Sequence, residues 1–238
     1  MKLFANGCSF TWGGELFKRL HDDNWILLDE NNTSDQNIER LNVTWPRHLS
    51  DIMGYSEFHN WSMGCGSNQR IVRKTFDFFL PKILNGEDMS EWTAAIQFSE
   101  PSRFETFQDD ADSWLMVNVQ NATLEKPTVP VIDQQLLDNY YMLFNDKVLG
   151  QLFFNDICTL GHFFKQHNIK HVFTMIHCGF IESLTDDQIK YCNKEFNWFN
   201  NKIEISSIMD MNVEECENDP HPSRTGHKQI AEHLSRFL

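Results

Sequence analysis

The chain has 238 residues, 41% of them hydrophobic, which is enough for a real core and argues against wholesale disorder. With 20 Lys and Arg against 34 Asp and Glu the formal charge is −14, a surface that repels phosphate backbones and anionic lipid and makes nucleic acid a poor partner. No apolar stretch is long enough to span a bilayer, the first residues show no secretory pattern, and the six cysteines form no CxxC pair. A cytoplasmic protein with free thiols is expected, with neither a zinc ribbon nor a thioredoxin site.

In chain order, residues 2–6 are short and apolar and stop at Gly7, the pattern of a buried strand followed by a turn. A loop rich in Asp and Asn covers residues 22–42. Trp45-Pro46 then opens a helix through Met53, since proline suits the first helical turn, and Gly54 ends it. Residues 55–61 read as a second strand, 62–68 as a loop, 69–84 as a helix and 92–98 as a third strand. Residues 100–133 are polar, acidic and punctuated by Pro127 and Pro130, and read as an insertion or lid bordering the pocket. A long helical stretch follows over 134–167, with a break expected near Gly150. Then come a fourth strand at 171–176, a helix at 186–200, a short strand at 203–206 and a closing helix at 223–238 capped by Ser223. Strands alternating with helices predict one three-layer α/β/α domain with a central, mostly parallel sheet. In such sheets chemistry gathers in the loops beyond the carboxyl ends of the strands.

Three segments carry residues suited to chemistry. The first is Gly7-Cys8-Ser9-Phe10-Thr11-Trp12-Gly13, where a serine directly after a buried strand sits at a helix start whose N–H groups can face a developing oxyanion. An N-cap serine would look the same. The second is Asp219-Pro220-His221-Pro222-Ser223-Arg224-Thr225-Gly226-His227, in which Asp219 can set the tautomer of His221 and stabilise its imidazolium, or serve an ordinary turn. A zinc pair of His221 and His227 lacks further ligands nearby. The third is the loop Asn60-Trp61-Ser62-Met63-Gly64-Cys65-Gly66-Ser67-Asn68, whose glycines let the backbone approach a substrate and donate N–H groups. It nearly matches a dinucleotide fingerprint, but Gln69 stands where the third glycine belongs.

Together these blocks resemble the SGNH/GDSL hydrolase family, in wording found in tailed-phage and some bacterial proteins. The resemblance spans nearly the full chain. It implies a flavodoxin-like SGNH hydrolase fold, with Ser9 as nucleophile, His221 as base and Asp219 as acid, Glu217 being the reserve. It implies an oxyanion hole built from the N–H of Ser9 and the loop of Gly64, Cys65 and Gly66, with Cys65 at the donor position when Ser67-Asn68 is aligned. The family's third block, Gly-x-Asn-Asp, is absent, and strand three ends Gln97-Phe98-Ser99-Glu100-Pro101-Ser102-Arg103. Asn68 or Ser99 is the candidate to replace the missing side-chain donor. Arg103 reads as a surface arginine or as a binder of an anionic substrate group. Cys8 and Cys65 are expected beside Ser9 as bystanders. The implied reaction is hydrolysis of a small-molecule, carbohydrate or lipid acyl ester, with no metal or organic cofactor. Two other classes stay open: a non-catalytic binding or phage structural module on the same scaffold, and a nucleotide-binding protein resting on the glycine loop. The sequence carries no signal for an oligomeric state.

Overall fold

Leu3, Phe4 and Ala5 expose no surface, so the first strand must lie inside a sheet covered on both faces. The computed structural model describes residues 1–13, 16, 35–108, 113–118, 144–175, 184–196, 215–216 and 219–238. Its elements in chain order are β1 (Lys2–Asn6), α1 (Ser9–Trp12), α2 (Asp35–Asn42), α3 (Trp45–Met53), β2 (Glu57–Asn60) and α4 (Asn68–Leu84). These are followed by β3 (Trp92–Phe98), β4 (Arg103–Gln108), β5 (Ser113–Asn118), α5 (Asp146–Gln166), β6 (Lys170–Met175) and α6 (Asp186–Glu195). The chain closes with β7 (Glu215–Cys216), β8 (Asp219–Pro222) and α7 (Arg224–Leu234).

β1, β2, β3 and β6 form one parallel sheet in the order β2-β1-β3-β6, with Asn6 opposite Ile96 at the carboxyl end of the central pair. Strand alternation divides the side chains between two cores. Phe4, Ala94, Ile96 and Phe173 meet Phe78 and Phe79 of α4 and Phe153 and Phe164 of α5 on one face. Leu3, Ala5, Ala95 and Val172 meet Trp45 and Leu49 of α3 and Ile230 and Leu234 of α7 on the other. This is the three-layer α/β/α arrangement with a parallel sheet that the alternating pattern predicts.

Several local expectations change. α5 runs unbroken through Gly150, which is buried. Its other glycine is closely packed, because a Cβ on Gly161 would stand 2.3 Å from the Phe196 ring. Inside the segment read as an insertion or lid, β4 and β5 pair antiparallel as a hairpin, while residues 109–112 and 119–133 lie outside the described residues. The expected elements at 134–143, 197–200 and 203–206 lie outside them as well. Asp219-Pro220-His221-Pro222 is a short strand paired antiparallel with β7 rather than a free turn. Among the described residues, no helix is long and apolar enough to cross a membrane.

Candidate active site

β1 has β2 on one side and β3 on the other, so its carboxyl end is the switch point of the sheet, where an open α/β sheet leaves a crevice for ligands. Ser9, the first residue of α1, stands there. Gly7 before it has no room for a side chain, since a Cβ would meet Thr11 Oγ1 at 2.3 Å and Gln97 Cβ at 3.1 Å. Fully buried Asn6 accepts the Gly7 N–H at 2.9 Å and donates to the Ile71 carbonyl at 3.0 Å, tying the end of β1 to α4. Gln97 on β3 accepts from the Thr11 hydroxyl, and its Nε2 lies 3.7 Å from Cys8 Sγ. Arg40 stacks on the Trp12 ring at 4.3 Å and donates to the Trp12 carbonyl at the far end of α1. Sequence reasoning passed over Asn6 and Gln97. Their signal was an amide side chain at the end of an otherwise apolar strand, where burial demands partners.

The glycine loop lies against this turn. Met63 N–H bonds the Gly7 carbonyl at 3.1 Å, Trp61 N–H bonds the Ala5 carbonyl at 2.8 Å, and Asn60 Nδ2 reaches the Thr11 carbonyl at 3.2 Å. The two glycines do different work. A Cβ on Gly66 would stand 3.1 Å from the Met63 oxygen and 3.2 Å from the Gly7 oxygen, whereas one on Gly64 would meet only the Trp12 ring at 3.9 Å. Between them Cys65 has φ +60°, the left-handed region that favours glycine. Cys65 is an exposed residue. Desolvation raises the thiol's pKa, and the positive charge of Arg103 works against that rise. A thiol held protonated is a poor nucleophile.

Ser67 caps α4, its hydroxyl accepting the Arg70 N–H at 3.1 Å. Asn68 spends its amide on Ser99, donating to the carbonyl at 3.1 Å and accepting from the N–H at 2.7 Å. It therefore stitches α4 to the end of β3. Ser99 Oγ is buried with no hydrogen-bond partner among the described residues.

His221 arrives from 212 positions away, with Nε2 2.8 Å from Ser9 Oγ and its ring 4.5 Å from that of Phe10. Ser223 caps the helix that follows, as expected. On that helix His227 is buried, and its Nδ1 accepts the Trp45 N–H at 3.0 Å, which puts the ring proton on Nε2. Burial above all, then the neighbouring charges of His48, His221 and Arg40, pushes the His227 pKa down to about 3. His227 is thus a neutral structural histidine committed to α3. Among the described residues no three His, Cys, Asp or Glu side chains gather to hold a metal ion. Asp219 lies two positions before His221 on β8, opposite Cys216, while its carboxylate and Glu217 lie outside the described part of the structure.

No protein-family model matches the chain, and no curated protein matches it. Solved structures with similar coordinates include one named as a lipolytic protein of the G-D-S-L family from Desulfitobacterium hafniense DCB-2. It is 12% identical with a TM-score of 0.48, covering 100% of this chain and 99% of that one. TesA is 12% identical with a TM-score of 0.49, covering 100% and 98%. A structure named as a GDSL-like lipase from Parabacteroides merdae ATCC 43184 is 12% identical with a TM-score of 0.44, covering 99% and 94%. These likenesses are too distant to bear on the chemistry of the site.

Proposed function

We propose that the chain is an SGNH/GDSL-type serine hydrolase that cleaves an acyl ester through an acyl-enzyme on Ser9. The observation that carries this reading is the 2.8 Å contact between Ser9 Oγ and His221 Nε2 at the switch point of a parallel sheet. Nucleophile and base within hydrogen-bond reach, the base held by a third group, is the arrangement that activates a serine.

In this mechanism His221 Nε2 takes the hydroxyl proton as Ser9 Oγ bonds the acyl carbon. The oxyanion faces the N–H of Ser9 and those of Gly64 and Cys65, because Thr11 N–H is already bonded to the Cys8 carbonyl at 3.0 Å and Gly66 N–H to the Met63 carbonyl at 3.1 Å. The bond to the leaving oxygen breaks as His221 returns the proton to it. A water molecule then repeats the sequence and releases the acid. The role assigned to Asp219, two positions before His221, is to accept the Nδ1–H and set the tautomer. The left-handed backbone of Cys65 supports its place in the oxyanion loop, since it adopts there the conformation a glycine would take.

The test is initial-rate hydrolysis of p-nitrophenyl acetate by the wild type and Ser9→Ala, with circular dichroism confirming both folds. Loss of about 10³-fold or more in kcat is expected for Ser9→Ala. Equal rates in the two folded proteins would sink the hydrolase reading in favour of a binding module.

A further inference from the structure

The geometry points to Arg103 as a specificity residue that binds a carboxylate on the ester substrate. This inference rests on the hydrolase reading above. Arg103 is no surface arginine. Its side chain is 11% exposed, and its Nε and Nη1 are buried with no hydrogen-bond partner among the described residues. Its ion partner is Glu100, whose Oε2 stands 3.4 Å from Nε and also has no hydrogen-bond partner there. A guanidinium offers five donors in a fixed fork, and one edge contact of that length leaves the fork incompletely satisfied.

The segment bearing Arg103 is fixed beside the site at both ends. Ser99 is held by the Asn68 amide at the start of α4, directly after the glycine loop. Arg103 N–H closes a turn on the Glu100 carbonyl at 3.1 Å. Two residues later Glu105 N–H bonds Gln69 Oε1 at 3.1 Å, and its carboxylate takes a bidentate grip from Arg73 at 2.9 and 2.7 Å. Arg103 therefore lies between two anchors, Ser99 and Glu105, that are both tied to the first turn of α4, the helix that begins directly after the glycine loop. A guanidinium withdrawn from water and incompletely paired is costly to keep, and a bidentate carboxylate is the ligand that satisfies it. A chain of charge −14 repels anionic substrates at long range, so recognition of one requires a local cation of this kind.

The experiment compares kcat/KM for p-nitrophenyl hemisuccinate and for 4-carboxyphenyl acetate with that for p-nitrophenyl and phenyl acetate, placing the carboxylate on either side of the scissile bond. In the wild type at least one anionic ester is expected to be favoured about 10-fold or more over its neutral counterpart, an effect carried by KM. Arg103→Gln should bring that ratio to about one, and Arg103→Lys should restore part of it. Glu100→Gln, by removing the competing carboxylate, should raise it. Because each variant is read as a ratio, a general loss of active protein does not mimic the effect, and the wild-type ratio stands without any variant. Turnover of the neutral esters with no anionic preference, or a preference that survives in Arg103→Gln, overturns this assignment alone. No turnover of any ester by the wild type overturns the hydrolase reading and takes this assignment with it.

Discussion

The serine and the histidine reach the same point by different means. Ser9 is held by the sheet itself. Asn6, Gln97 and the 62–66 loop bind the turn around it from β1, β3 and the segment before α4; Gly7 has no room for a side chain, and a Cβ on Gly66 would press on two carbonyl oxygens. His221 rides on a two-stranded ribbon leading into α7, positioned by the Phe10 ring and, one helical turn on, by the bond from Trp45 to His227. The nucleophile is thus set by backbone crowding and buried amides, and the base by how one helix docks on another. Disturbance of the first region should act on fold and activity together, whereas the second allows the two to be separated.

The largest expected effect lies at the base. His221→Ala should lower kcat on p-nitrophenyl acetate about 10³-fold or more with little change in melting temperature, and combining it with Ser9→Ala should cost little further. Gly7→Ala should damage both properties, because its Cβ overlaps Thr11 and Gln97. Overpacking of this kind costs about 1–3 kcal/mol, readable as a lower denaturation midpoint. A variant as stable and active as the wild type would show that the serine turn is softer than its packing implies.

His227 sharpens the contrast through pH. Its ordinary value is 6.5 and its folded value about 3, so between the two the unfolded chain binds a proton that the folded chain refuses. The stability contributed by a neutral His227 is therefore full above about pH 6.5 and falls as pH drops toward 3. From about pH 7 to about pH 5 the loss is roughly 2 kcal/mol by linkage. Denaturation midpoints at the two pH values should differ less in His227→Gln than in the wild type, and an equal difference would remove His227 from the account. The smallest effect is expected at Cys65→Gly, which relieves the left-handed backbone strain and should leave stability unchanged or raised by about 1 kcal/mol with activity retained.

What could be read from sequence follows the same division. β1, α3 and β3 are legible because an unbroken apolar run, a proline start and a glycine stop each have one local cause. Ser9 and His221 are legible as motif residues, though nothing local says that their side chains meet. Asn6 and Gln97 are not, because their roles depend on partners 65 or more positions away. β8 is hidden by its two prolines, which ordinarily exclude a strand, and survives as one member of a two-stranded ribbon. The β4–β5 pairing is hidden in sequence by the acidic residues 109, 110 and 112 between the two segments, which make the whole stretch read as loop. Asn68 carries a second role that its place beside the glycine loop does not reveal: its amide exchanges hydrogen bonds with the Ser99 backbone at the end of β3.

The most direct test of the central claim is covalent labelling with a fluorophosphonate, which reacts with an activated serine and reports the modified residue by peptide mass spectrometry. A single adduct on Ser9 is expected in the wild type, none in Ser9→Ala, and labelling slowed by orders of magnitude in His221→Ala. A folded wild-type protein that takes no label, or takes it on a residue other than Ser9, would contradict the account.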